Sequence, residues 1–217
     1  MIEIIYKDED LIVCVKPSGI LSVEDSSNKE NLMNLVRQGL SVTENKNLYP
    51  VHRLDRETSG LMVFARNNKS AAILSEEIAK HNEFIKEYLL VVFGRPENDS
   101  GIFEDYLFKD SSKNKVFVAK NERKGVKYAK LEYNVLKKFD DKSLIKVRLF
   151  TGRTHQIRVQ FASRRMPIIG DRKYGGEKHS ILALYSHSIS FIHPTSKEFL
   201  SFESYPNDEI FSKYNCE

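Results

Sequence analysis

The amino-acid sequence predicts an α+β fold: a mixed, mainly antiparallel central sheet with flanking helices and a cleft. Three observations carry that expectation. Short runs rich in β-branched and aromatic residues recur along the chain and dominate residues 102–150. Apolar residues at helical spacing are confined to a few brief segments, and no repeat or low-complexity linker interrupts the pattern. With 217 residues, 41% of them hydrophobic, the chain can bury the core of a single domain spanning 1–217.

The chain opens as a hairpin. Ile2–Tyr6 and Leu11–Lys16 are strand-like, Lys7-Asp8-Glu9-Asp10 turns between them, and Lys16-Pro17-Ser18-Gly19 breaks the second. The Ser/Asn-rich stretch Ser22–Lys29 leads into a helix carrying Leu32, Leu35, Val36 and Leu40 at helical spacing. Gly60–Arg66 reads as a buried strand, after which Asn67 or Asn68 caps a helix presenting Ala71, Leu74 and Ile78. Phe84–Gly94, containing Tyr88, is the next strand. Ile102–Phe108, Val116–Ala119, Val126–Leu136 and Leu144–Phe150 follow, the last alternating Ile145, Val147 and Leu149 against Lys146 and Arg148. Thr151-Gly152-Arg153-Thr154 is a turn ending in an N-cap, and Ile157 and Phe161 give the short helix after it an apolar side. A loop rich in Gly and charge, Gly170–Lys178, precedes strands Ile181–Ile192 and Glu198–Phe202, which Pro194-Thr195-Ser196-Lys197 joins as a hairpin.

Bulk chemistry narrows the function classes. The longest uninterrupted apolar stretch, Leu89–Phe93, is far short of the roughly 20 residues that cross a bilayer, and the N-terminus lacks a secretory signal, so a cytoplasmic protein is expected. Cys14 and Cys216 suggest neither a disulfide framework nor a thiolate metal site, and Cys14 reads as a small buried apolar residue. The sequence also holds no phosphate-cradling glycine loop and no His/Cys cluster, so no cofactor and no metal are expected. Thirty-four basic against 30 acidic residues leave a net charge of +4, a weak signal for a nucleic-acid partner. The distribution says more, because Arg153, Arg158, Arg164, Arg165, Arg172 and Lys173 crowd together with only Asp171 opposing them, as on a phosphate-facing surface or a solvated face.

The chemistry-bearing segment is Val51-His52-Arg53-Leu54-Asp55-Arg56-Glu57-Thr58-Ser59-Gly60. Arg53 and Arg56 flank Asp55 in a loop between apolar segments, and neighbouring positive charge favours an ionised carboxylate. That suits a nucleophile or a base better than a general acid, which must stay protonated near neutral pH. The same ten residues also fit an Asp that caps a turn or pairs with Arg at the surface.

Residues 52–61, His-Arg-Leu-Asp-Arg-Glu-Thr-Ser-Gly-Leu, closely resemble the signature of RluA-type RNA pseudouridine synthases. Lys86-Glu87-Tyr88, the run from Thr151 through His155 and Arg158 to Val159, and Pro167-Ile168-Ile169-Gly170-Asp171 continuing to Tyr174-Gly175 agree in family order. Val15-Lys16-Pro17-Ser18-Gly19 looks like the family's opening hairpin, so the resemblance runs from about residue 6 to residue 195.

This resemblance implies a pseudouridine synthase-like fold and an enzyme that isomerises uridine to pseudouridine in ribosomal or transfer RNA. The C1′–N1 bond breaks, the uracil turns and C1′ joins C5, with no redox change and no cofactor. It implies that Asp55 starts the reaction by attacking C1′, adding to the base or removing a ribose proton. Arg158 would form an ion pair holding Asp55 charged, and Tyr88 would stack on the uracil or assist at C5; without the resemblance, Arg158 reads as an exposed helix residue and Tyr88 as core. Arg53 would fill the gap left by an extruded base with its planar guanidinium. Arg153, His155 and Gln156, at the expected helix N-terminus, are assigned to RNA contact, His155 equally to orienting the Asp55 loop. Leu182 matches a position that packs against the flipped base and equally suits the core.

Two departures leave the RNA target open: Tyr185-Ser186 stands where the family often has His-Ala, and Gln160 where many members have His. The chain begins directly at the catalytic domain, which would then recognise RNA by itself, as a monomer. The competing readings are an RNA-folding factor with a vestigial site and a glycosidase-like enzyme using Asp55 with Glu57, although alternation along an extended loop would point those two side chains apart.

Overall fold

A computed structural model describes residues 2–24, 30–41, 47–80, 83–177 and 181–214. Part of the Ser/Asn-rich stretch, Lys178 at the end of the glycine-rich loop, and Cys216 lie outside the described residues. The chain divides into two compact units, residues 1–86 with 185–206 and residues 87–184 with 207–217. Each is completed by a segment from the C-terminal third, so neither is a contiguous stretch of sequence.

In the first unit, β1 (Ile4–Lys7), β2 (Leu11–Lys16), β4 (Ser59–Ala65) and β10 (Leu184–Ile192) lie side by side in that order. β3 (Tyr49–Pro50) pairs with β4, and β11 (Phe199–Glu203) pairs with β10. The pairs are antiparallel except β4 with β10, which is parallel. Both faces of β2 and β4 are covered, which explains why these strands read as continuous apolar runs rather than as alternation. Leu11, Val13, Leu61 and Val63 pack with Leu74 of helix α2 (Asn68–Lys80). Ile12, Cys14, Met62 and Phe64 pack with Leu32 and Val36 of α1 (Leu32–Gly39). Cys14 is fully enclosed, and burial pushes its thiol up to about 12. Asn31 caps α1 by accepting from the Asn34 N–H, and Asn67 does the same for α2 from the Ser70 N–H at 2.8 Å.

In the second unit, β5 (Ile85–Phe93), β9 (Lys142–Leu149), β8 (Val126–Lys138), β6 (Ser100–Asp110) and β7 (Lys115–Ala119) are neighbours in that order, antiparallel throughout. The mixed, mainly antiparallel sheet pattern expected from the sequence is therefore observed. Helix α3 (Gln156–Ser163) packs on β6 and β7. Its edge-on ring contact from Phe161 to Phe103, at 5.1 Å, anchors it there. Thr154 does not cap α3. His155 occupies that position with φ 51°, and the Gln156 side chain takes the Arg153 N–H instead, at 3.0 Å. β10 begins at Leu184 rather than Ile181. Two short elements, β3 and helix α4 (Glu209–Lys213), were not foreseen.

The close approach of β4 to β10 occurs at the strand start that follows the Asp55 loop. Gly60 has φ 108° and sits against Ser186 of β10, so a Cβ there would be driven into the Ser186 carbonyl. Gly60→Ala is expected to lower stability by about 3 kcal/mol or more, read as the shift of the urea midpoint, whereas Ala at the open Gly19 should cost only its backbone strain.

Candidate active site

The loop that carries Asp55 is short, polar and attached at many points. It packs against residues 17–22, the breaker after β2. Lys16, the last residue of β2, has no exposed surface, and its ammonium donates to the carbonyls of Pro17 (2.9 Å), Ile20 (2.8 Å) and Arg56 (3.0 Å). Burial brings its pKa down to about 8, against the attraction of Glu57 and Asp55, which raises it. Ser22 donates to the Leu54 carbonyl and accepts the Leu54 N–H, while Ser18 donates to the Glu57 carbonyl. Gly19 N–H donates to the Arg56 carbonyl, and Arg56 Nε returns a bond to the Gly19 carbonyl. Between these attachments Leu54 points inward, Asp55 is half-buried, and Arg53, Arg56 and Glu57 are exposed. Asp55 closes a turn, its carbonyl accepting the Thr58 N–H at 3.2 Å.

His52 enters the loop from the core side. Its Nε2 accepts the Val63 N–H at 3.2 Å, so the proton of the neutral ring is on Nδ1, which is enclosed without a hydrogen-bond partner among the described residues. Burial first, and then the positive charge of Lys86, bring its pKa down to about 3. Lys86 is itself buried, its ammonium 5.9 Å from the Phe84 ring, and burial lowers it to about 8.

In the second unit, α3 is polar in sequence yet buried from Gln156 through Phe161, because each polar side chain has a dedicated partner. Arg158 is 3% exposed and forms a bidentate pair with Asp171, Nε to Oδ2 at 2.8 Å and Nη2 to Oδ1 at 2.9 Å. Asp171 Oδ1 also accepts the backbone N–H groups of Lys173 and Tyr174. Gln156 accepts from Thr151 Oγ1 and the Arg153 N–H and donates to the Lys130 carbonyl, so its carboxamide is engaged inside the unit. Gln160 donates to Asp105, which also takes Arg164. Arg164 stacks 3.9 Å from the Phe103 ring. The run of basic residues is therefore not one phosphate-facing surface: Arg158 and Arg164 are committed to carboxylates, while Arg165 and Arg172 are exposed.

Arg153 is partly exposed, with Nε on the Tyr128 carbonyl, and His155 Nδ1 lies 2.8 Å from the Tyr174 hydroxyl. Tyr88 is buried in β5 opposite Val147 of β9. Leu182 is buried beside the bond from Val91 N–H to the Ala183 carbonyl. Asp55 and Arg53 thus belong to the first unit, and Tyr88, Arg153, His155, Gln156, Arg158 and Leu182 to the second. The roles of Lys16, Ser22, Asp171 and Tyr174 were not read from the sequence. A lysine ending an otherwise apolar strand and an aspartate among arginines were the available signals.

A family model described as RNA pseudouridylate synthase matches residues 10–163. An uncharacterised RNA pseudouridine synthase of Aquifex aeolicus is 32% identical, over 99% of this chain and 72% of that protein. Ribosomal large subunit pseudouridine synthase D of Borreliella burgdorferi is 32% identical, over 96% and 70%. Among solved structures, human RNA Pseudouridylate Synthase Domain Containing 4 superposes with a TM-score of 0.79 at 21% identity, covering 97% of this chain and 90% of its own. Domain Containing 1 gives 0.80 at 20%, covering 98% and 86%. These two likenesses are of fold. Among the described residues no helix is long and apolar enough to cross a membrane.

The pKa of His52 yields an acid-stability expectation with a definite sign. Because the folded value, about 3, lies below the free value of 6.5, the unfolded chain binds the extra proton first, and stability is lost as pH falls from 6.5 toward 3. At pH 4 the loss should reach at most about 3 kcal/mol, since the partly open ring is screened. Urea unfolding of the wild type should weaken more steeply between neutral pH and pH 4 than that of His52→Gln.

Proposed function

The chain belongs to the RNA pseudouridylate synthase family, and from that premise we propose that it isomerises specific uridines in ribosomal or transfer RNA, with Asp55 starting the reaction. The observation that carries this reading is the Asp55 loop. A half-buried carboxylate stands on a turn attached on its other side by a buried ammonium and reciprocal serine bonds, which is how a reacting group is preorganised. Large-subunit ribosomal RNA is the first candidate substrate, because named relatives act there.

Attack on C1′, addition to the base and removal of a ribose proton all begin from the same ionised carboxylate. In this reading Arg158 is the counter-ion of Asp55, and the Asp171 carboxylate fixes the orientation of that guanidinium. Tyr88 offers a ring to the uracil, with Leu182 as apolar support. Arg53, exposed on the loop, takes the place of the extruded base. Arg153 and His155 meet the RNA backbone, and Gln156 serves that contact by holding the Arg153 N–H. The interleaving of the two units in sequence supports their working together as one catalytic domain, residues 1–217.

The test is complementation of a deletion strain with Asp55→Asn, followed by mapping of pseudouridine in ribosomal and transfer RNA. The sites that depend on this chain should disappear, and the purified variant should be slower by roughly a thousandfold or more. If every site persists in cells whose only copy is the variant, Asp55 is not the catalytic group.

A further inference from the structure

Lys16 and Lys86 are both buried strand lysines of the first unit, and burial brings both down to about 8. Lys16 spends its three N–H donors on three carbonyls and is attracted by Glu57 and Asp55. Lys86, 8% exposed, has neither a hydrogen bond nor an ion pair among the described residues, and no carboxylate among them offsets its burial. Glu87, the next residue, lies on the opposite face of β5 and pairs with Lys146 at 3.6 Å. What meets the Lys86 ammonium is aromatic and neutral: the Phe84 ring at 5.9 Å, and His52, whose charged form the Lys86 charge disfavours. Phe84 is held by stacking on Phe191 at 5.2 Å and by an edge-on contact with the His52 ring at 5.8 Å. An ammonium nearly closed off from water costs free energy unless an opposite charge meets it, and a ring face at this distance returns a small part. That leaves the counter-charge to a ligand.

We propose that Lys86 is a phosphate-binding residue, its ammonium taking one phosphodiester group of the substrate RNA at the foot of the Asp55 loop. The proposal rests on the reading of the chain as an RNA-modifying enzyme, because phosphate is the anion that RNA carries. The place follows from His52, which enters that loop from the core side and feels the Lys86 charge. A lysine suits the role as a compact point charge with three donors, and in an enclosed setting its attraction for an anion is stronger than at the surface. With a pKa of about 8, Lys86 is mostly charged near neutral pH before any RNA arrives. Its charge therefore lowers the stability of the free protein and is compensated when the strand binds.

Lys86→Met removes the charge and keeps most of the side-chain length. Binding of a short oligouridylate to the full chain, measured across a salt series, should weaken about tenfold in the variant, the size expected for one bond to a charged group. The dependence of log affinity on log salt should become shallower by about 0.7, the contribution of one phosphate on a single strand. The urea midpoint of Lys86→Met should equal or exceed that of the wild type, because an uncompensated buried charge has gone. Unchanged affinity, or an unchanged salt slope, overturns the proposal. A lower urea midpoint also overturns it, since the cation would then serve the fold through Phe84. A wild-type chain that binds the oligouridylate through Lys86 but modifies no ribosomal or transfer RNA overturns the functional reading instead and leaves the phosphate site standing.

Discussion

The ammonium of Lys16 is the interaction on which the Asp55 region depends. Three carbonyls from two loops 40 residues apart in sequence converge on one enclosed Nζ. Without it, the Pro17 and Ile20 carbonyls would lose this donor and the Arg56 carbonyl would keep only the Gly19 N–H, at a cost of about 1 kcal/mol or more for each bond lost. An ammonium suits the place because it brings three N–H donors to a single point, and a neutral side chain of similar length brings none or two. With the loops so joined, the remaining contacts fall into place. Ser22 and Leu54 exchange bonds, the turn from Asp55 to Thr58 closes, and β4 leaves the loop at Ser59 directly into its parallel contact with β10.

The second unit solves a different problem, that of burying polar side chains on a short helix. Arg158 and Gln156 are satisfied by partners from elsewhere in the unit, and the Gln160 amide nitrogen donates to Asp105 and the Phe103 carbonyl, while its enclosed Oε1 has no partner among the described residues. Breaking one such pair leaves a buried charge or amide exposed to a poor environment, which costs more than the pair contributes. The Arg158 guanidinium has its orientation set by two bonds to a carboxylate that is itself held by two backbone N–H groups. This rigidity is what a site needs when charge must be presented at a fixed position rather than found by a flexible side chain.

Much of the fold was legible in the sequence, for identifiable reasons. β2 and β4 are runs of apolar residues with turn residues at their ends, and β9 alternates, so their signals were local. The cap at Asn67 was legible because its acceptor oxygen and the Ser70 N–H lie within one turn. Helix α3 was placed to within two residues, but its polar face was not understood, because the groups that satisfy it lie far along the chain. Gln156 has partners 3 and 5 residues away but donates to a carbonyl 26 residues away, and the partners of Gln160 are 55 and 57 away. The same distance problem dissolved the expected basic surface, since Asp105, which takes up Arg164, is 59 residues earlier. At the site, Asp55 stood out through its motif, whereas Lys16 acts through backbone carbonyls, whose identity the sequence does not record, and its place at the end of an apolar strand was its local signal.

The most direct test of this account is amide hydrogen exchange across residues 17–22 and 53–58 in Lys16→Met, measured together with single-turnover pseudouridine formation at saturating RNA. If the buried ammonium holds the Asp55 loop in place, exchange in both segments should accelerate while the strands β2 and β4 stay protected, and the rate should fall with little change in RNA affinity. Unchanged exchange in 53–58, or accelerated exchange with a wild-type rate, would contradict it.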